Sequence, residues 1–200
     1  MATPRKRLLI PALMGFVVLL ASANLLVTHT SGAAAPKLVR SVSMTEAYTL
    51  AEPHALSWDS QAKLYWINSV DQINNTSSEH GLNGTRSKWN VEFVVPGTDR
   101  HFTVVIFDGR VAASTEFANA TMWEPFDEFP ALPVGEILKT AKSLGLEPGT
   151  NFAFGYHFKL HKRDGSPTLE VIGKDKGSSG KKQMAFDPFN GKVKLGSGGE

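Results

Sequence analysis

The sequence predicts an α+β fold made of two tandem units, each a helix packed on a three- to four-stranded antiparallel sheet. Three observations lead to it. First, "VVIFDGRV" at residues 104–111 is echoed by "QMAFDPFNGKV" at 183–193: hydrophobic strand, Phe-Asp, turn, then Gly, a cation and Val. Second, each echo comes after a helical apolar stripe and then runs of β-branched and aromatic residues. Third, 200 residues with 42% hydrophobic and 20% charged content suit a folded chain of one ordinary or two small domains.

The elements are taken in chain order. "MTEAYTLAEPHALSW" carries Ala47, Ala51, Ala55 and Trp58 on one stripe, with Thr45 as a candidate cap. Pro53 interrupts that stripe, so one bent helix or two short ones are expected. "AKLYWINSV" reads as a strand, "INNTSSEHGLNGTRS" as a polar loop or wide hairpin, and "KWNVEFVV" and "HFTVVIF" as strands about a Pro-Gly turn. Asp108-Gly109 turns the chain again into "RVAASTEF". "ATMWEPFDEFPALP" is a connection whose Trp123, Phe126 and Phe129 would be costly to leave wet, so it should pack. Val134, Ile137, Leu138, Ala141 and Leu144 mark a second helix between Pro133 and Gly145. Strands then come in "TNFAFGYHFKLHKRDG", "SPTLEVIGKDKGSSG" and "KKQMAFDPFNGKVKLG". The expected boundaries are 1–36 for a targeting segment with linker, 37–117 and 134–196 for the units, 118–133 for an acidic connection, and 197–200 for a tail.

Arg5, Lys6 and Arg7 precede an apolar run from Leu8 to Leu20, and Ala21-Ser22-Ala23 offers a small-x-small cleavage pattern. Left uncut, Leu8 to Val27 is long enough to cross a bilayer, and the leading cations place the rest of the chain outside. The segment reads as a signal peptide or a membrane anchor, and the body as extracytoplasmic, either secreted or periplasmic or anchored.

The net charge is +2, but residues 37–133 hold seven cations against twelve acids, and 134–200 hold eleven against seven. The cations are neither dense nor interleaved with aromatics in a recognition motif, so no nucleic-acid partner is expected. The absence of cysteine removes disulfides, thiolate metal sites, cysteine nucleophiles and lipid attachment through cysteine.

"YHFKLHKRDGSPTLEVIGKD" and then "AFDPFNGKV", after a helix, resemble PepSY and PepSY-like domains over residues 134–195. Residues 45–117 resemble the same cystatin-like arrangement loosely, departing in the proline-interrupted helix, the long middle loop and an ending without "PFN". The resemblance implies an exported, non-catalytic module acting near peptidases or the cell envelope, and it supplies no catalytic residues.

No nucleophile elbow, His-Glu-x-x-His, phosphate loop or dinucleotide fingerprint occurs, so no catalytic residue, metal ligand or cofactor is assigned. His157 and His161 stand four apart on a strand and so share a face, but no third metal ligand is signposted. Asp108 and Asp187 precede turns, the ordinary place for Asp. Of the aromatic group Trp58, Tyr65, Trp66 and Trp89, most serve the core, with Tyr65 or Trp66 the member left exposed. The acids Glu124, Asp127 and Glu128 oppose in sign the loop bearing Lys174 and Lys176. The candidate protein-contact residues are therefore Tyr65, Trp66, Glu124, Asp127, Glu128, His157, His161, Lys174 and Lys176.

These observations favour a non-catalytic binding or regulatory module outside the cytoplasmic membrane, its partner a peptidase or an envelope component. Contact would use the exposed sheet faces or a groove between the units. Two alternatives stand beside it: a small-ligand carrier or hydrolase-like enzyme using a helix–sheet cleft, and a spacer between membrane and wall.

Overall fold

The computed structural model describes residues 39–71, 80–121, 124–130, 133–150 and 154–194. The targeting segment of residues 1–36, with its apolar run 8–27, lies outside the described residues, as do Trp123 and the tail.

Chain order begins with β1 (Val42–Ser43), α1 (Met44–Trp58), β2 (Lys63–Ser69) and β3 (Thr85–Arg86). Next come β4 (Lys88–Val94), β5 (Arg100–Phe107), β6 (Arg110–Ala118) and α2 (Val134–Ser143). β7 (Leu146–Glu147), β8 (His157–Arg163), β9 (Ser166–Asp175) and β10 (Lys181–Phe186) complete it.

Helix α1 starts earlier than Thr45 suggests. Ser43 is the cap, its Oγ accepting from the Glu46 amide at 3.1 Å, and Glu46 supplies the acid that favours a helix N-terminus. Pro53 neither breaks nor divides the helix, which runs unbroken to Trp58. Pro53 and Thr49 both face solvent, so the Thr49 carbonyl that loses its amide partner can be met by water. The opposite side presents Ala47, Ala51 and Ala55, all fully buried; their small side chains let the helix sit close to the sheet. Trp58 stacks on Phe102 at 5.0 Å between ring centroids. Helix α2 buries Val134, Ile137, Leu138 and Ala141, but Leu144 falls at the C-cap and is exposed rather than part of that face.

The sheet overturns the two-unit expectation. Eight strands form one antiparallel sheet in the order β10-β9-β8-β2-β4-β5-β6, with β7 added against β9. The halves join where Trp66, Ile67 and Asn68 of β2 face His161, Leu160 and Lys159 of β8. The fold is thus mostly β, with two helices on one shared sheet and a small β1–β3 ribbon beside it. Residues 36–200 form one compact unit, and one continuous core runs from Trp89, Val91 and Val104 to Leu160, Leu169 and Val171. The physical reason is edge protection. Separate units would leave β2 and β8 as unpaired edges, each flanked by core residues; pairing them satisfies both ladders and merges the apolar faces. Among the described residues there is accordingly no groove between units for a partner to occupy.

Both helices cover the same side. Helix α1 packs on β4 and β5, with Tyr48 6.2 Å from Phe93, while Val134 of α2 lines a crevice with Leu160 and Leu169 and belongs to the same core. The connection after β6 is packed: Phe126 is buried and donates its amide to the Leu64 carbonyl at 2.7 Å, filling the edge of β2 that β8 does not reach. The two Asp-Gly hairpins have positive φ at both residues, Asp108 (55°) with Gly109 (68°) and Asp164 (51°) with Gly165 (72°). That is the turn whose twist matches the flanking strands.

Candidate functional site: the helix-free face of the sheet

Alternation along the strands sends one set of side chains to the helices and the other to the opposite face. The register places Trp66, Asn68, Glu92, His101, His157, Lys159, His161, Thr168, Glu170 and Gln183 on that second face. His157 and His161 share it, as their spacing requires.

A bulge at Tyr65, between the pairs Leu64–Phe93 and Trp66–Glu92, changes what β2 displays. Neighbouring strand residues ordinarily point apart, yet the extra residue turns Tyr65 and Trp66 to the same side. Tyr65 packs edge-on against the His101 ring at 5.0 Å and is buried; Trp66 is half-buried. The Trp66 indole and His101 Nδ1 both engage Glu92, the latter at 2.8 Å, and His101 Nε2 lies 3.2 Å from Thr121 Oγ1. His101 has no exposed surface, so this carboxylate–histidine pair is out of reach of a substrate.

A second pair lies across the seam. His161 Nε2 stands 3.2 Å from Glu170 Oε1, both buried. Burial opposes ionisation of Glu170, but His161 and Lys159 outweigh it and hold the carboxyl below its ordinary range. Lys159 lies over the Trp66 ring at 5.3 Å. The sequence writes an apolar-Glu-apolar phrase twice, Val91-Glu92-Phe93 and Leu169-Glu170-Val171, and its two carboxylates lie in two buried Glu–His pairs on one face.

A third cluster closes the seam at the far end of β2. His157 Nδ1 is 3.0 Å from Ser69 Oγ, and His157 Nε2 is 3.0 Å from Asp71 Oδ1. The residue types are those of a nucleophilic triad, with a buried cation added to them. Arg86, 3% exposed, points Nη2 at both Asp71 (2.6 Å) and His157 Nε2 (3.1 Å), and its Nη1 donates to the Phe154 carbonyl at 2.9 Å. Burial first, then the Arg86 charge, lower the His157 pKa below its ordinary value. Nε2 thus faces both a carboxylate that accepts and a guanidinium that donates, while Nδ1 faces Ser69 Oγ and, at 3.3 Å, the Ser69 carbonyl. Ser69 Oγ also accepts from the Phe158 amide at 3.0 Å. The cluster clamps β2, β3 and β8 together, holding the imidazole at both ring nitrogens.

The remaining contact candidates are dispersed. Asp127 pairs with Lys63 at 2.7 Å and lies 3.8 Å from Lys162; Glu124 approaches Lys162 at 4.0 Å; Glu128 is exposed. Lys174 pairs with Glu147 at 3.3 Å, and Lys176 is exposed in the turn beyond β9. The acids sit beside the β8–β9 hairpin and the lysines at the other end of β9, so the two patches are neutralised locally and do not face each other. Sequence reasoning passes over Glu92, Glu170, Arg86 and Asp71. The available signal is a carboxylate between apolar residues in the middle of a strand, at positions 92 and 170 alike.

No group of three or more metal-ligating side chains occurs among the described residues. The cleft between α1, β2 and the connection, lined by Tyr48, Glu52, Leu64, Phe93 and Phe129, encloses about 130 Å³. A wider, shallower trough of about 450 Å³ lies on the helix-free face between Lys159, His161, Arg163, Glu170, Lys181 and Gln183.

No protein-family model matches the chain, and no curated protein matches it in sequence. The resemblance of residues 134–195 to PepSY domains therefore has no family model behind it, and the cystatin-like tandem it implied is replaced by the single sheet. Among solved structures, a crystal structure described as a "putative lipoprotein" from Clostridium difficile 630 is similar, with a TM-score of 0.52 and 12% identity. The match covers 73% of this chain and 88% of that one. At that identity the likeness establishes the fold alone: the chain shares its arrangement of sheet and helices with that protein.

Proposed function

We propose that the chain is a non-catalytic binding module working outside the cytoplasmic membrane, with the helix-free sheet face as its contact surface. The observation that carries this reading is the one-sided cover of the sheet. Both helices lie on one face, while the other holds Trp66, Lys159 and the two Glu–His pairs in a shallow array. Interfaces favour such a half-buried aromatic beside fixed polar groups.

The location is supported by Arg5, Lys6 and Arg7 ahead of the apolar residues 8–27, and by the structural likeness to a protein described as a lipoprotein. Without a cysteine, retention at the membrane would fall to that apolar segment instead of a thioether-linked lipid. Among the described residues no helix is long and apolar enough to cross a membrane. The non-catalytic reading is supported by the inaccessible His101 and by the buried Arg86, whose guanidinium sits against His157 Nε2 and, after burial, lowers its pKa. The cleft of about 130 Å³ is smaller than the roughly 300–1,000 Å³ of small-molecule sites, and the trough of about 450 Å³ is open and shallow rather than enclosing, which speaks against a small-ligand carrier. A peptidase or an envelope component remains the expected partner class.

The test compares the full chain with Trp66→Ala in cross-linked envelope fractions, alongside Leu56→Ala, an exposed position on α1. A partner captured by parent and Leu56→Ala but lost with Trp66→Ala fits the reading. Capture indifferent to Trp66, or a body inaccessible to protease in intact spheroplasts, contradicts it.

A further inference from the structure

We propose that the trough on the helix-free face is a docking track for an extended acidic segment of a partner protein, with carboxylates at every fourth residue. This rests on the binding-module reading and names the chemistry that the face would recognise.

The register spaces the cations evenly. On β8, Arg163 stands four residues from Lys159 and on the same face. Lys159 lies opposite Glu170 of β9, and Glu170 opposite Ala185 of β10. Lys181 is four residues from Ala185, displaced along the strand axis away from Arg163. Arg163, Lys159 and Lys181 therefore occupy three levels, each about 13 Å from the next at about 3.3 Å per residue. All three line the same trough, with His161, Glu170, Ile172 and Gln183 as its floor.

An extended peptide lying parallel to these strands advances by the same rise per residue. Its side chains return to the same face every second residue, so those at i, i+4 and i+8 meet the three cations in turn. The lone carboxylate on the floor, Glu170, is buried and engaged by His161 at 3.2 Å, so it does not oppose an incoming acid as a free charge would. Trp66, under Lys159, provides an apolar wall beside the middle position. Burial, then Lys181 and Arg163, draw Lys159 below its ordinary pKa against the pull of Glu170. An anion in the trough relieves that repulsion.

The spacing also separates this occupant from others. A single phosphate cannot span levels about 13 Å apart, and an anionic lipid surface does not demand a four-residue period.

The test is fluorescence anisotropy with the full chain in nonionic detergent and two labelled twelve-residue peptides, each holding three Asp in a Ser/Gly background. One peptide spaces the Asp at every fourth position and the other places them side by side. The proposal expects the spaced peptide to bind about tenfold more tightly, and Lys159→Gln and Lys181→Gln each to weaken it by about fivefold, the scale of one partly desolvated charge pair. Lys139→Gln, on α2 and paired with Glu136 at 2.7 Å, should leave binding unchanged. Equal binding of the two peptides, or equal effects of all three substitutions, overturns the proposal. So does binding to phosphatidylglycerol vesicles that is lost with Lys159→Gln while neither peptide binds. If the spaced peptide fails but Trp66→Ala still abolishes partner capture, the acidic-segment assignment falls and the binding-module reading stands. If Trp66 has no effect on capture either, both fall.

Discussion

Replacing Arg86 with Met separates a structural clamp from a catalytic site. The guanidinium is 3% exposed and bonds to Asp71, His157 and the Phe154 carbonyl, joining β3, the end of β2 and the start of β8. Methionine keeps much of the apolar stem but none of the donors. Breaking a buried ion pair by removing one partner costs about 3–5 kcal/mol. Asp71 is 34% exposed and regains water, so the cost falls near the low end, about 3 kcal/mol. Urea unfolding monitored by circular dichroism measures it, with an unchanged slope showing that the unfolding transition is the same one. Asp71→Asn in the Arg86→Met background should cost less than the sum of the separate changes, because no carboxylate is then left without its cation. Removal of the positive charge should also raise the His157 pKa, measurable from its ring proton shifts. An Arg86→Met protein within about 0.5 kcal/mol of the parent would fit an incidental contact instead, and a lower His157 pKa would contradict the placement of the guanidinium charge beside the ring.

The same structure has other consequences. His157 has a folded-state pKa below its unfolded value, so its contribution is present above about pH 6.5 and is lost as pH falls through the folded value. Stability should therefore decline on acidification from neutrality, and His157→Gln should flatten that slope in urea titrations at several pH values. Glu92→Ala leaves the Trp66 indole and His101 Nδ1 without their shared acceptor and should cost about 2–3 kcal/mol, with a shift in tryptophan emission. Pro53→Ala restores an amide donor on the exposed side of α1 and should stabilise by about 1–3 kcal/mol, read as a higher Tm.

The local elements are legible wherever a residue type carries its own geometry. Alternating apolar residues mark β4, β5, β8 and β9, the Ala47–Ala51–Ala55 stripe marks α1, and Asp-Gly marks both tight hairpins. The two-residue strands β1, β3 and β7 have no period to read; they exist because neighbouring strands offer them partners. Pro53 misleads because a helix-breaking tendency says nothing of whether its turn faces water. Ser43 escapes notice as the cap because Thr45 is an equally good capping type two residues later. Tyr65 and Trp66 are expected on opposite faces, and only the bulge, set by the pairing with β4, turns them together. The larger correction has the same origin. Each half reads locally as a helix and then a meander, but the strand adjacent to β2 is a matter of long-range pairing, and nothing in "YWIN" or "FKLH" announces that they will meet. The recurring Phe-Asp and apolar-Glu-apolar phrases are real sequence features. They do not mark equivalent structures. Asp108 opens the β5–β6 hairpin, whereas Asp187 follows the last strand and leads into a turn closed by a single Phe186–Val193 bridge. Glu92 meets a histidine on the following strand, while Glu170 meets one on the preceding strand.

The joining of β2 to β8 underlies the shared core, the seam clamp and the continuous face proposed for binding. Because the chain has no cysteine, Asn68→Cys with Lys159→Cys introduces a single thiol pair at residues that face each other across that seam. Mild oxidation of the native protein should join them within the monomer, seen as the loss of two hydrogens in the intact mass and a faster band on a non-reducing gel. Free thiols in the folded double variant, under conditions where a Lys159→Cys/Glu170→Cys pair across β8 and β9 oxidises fully, would contradict the single sheet.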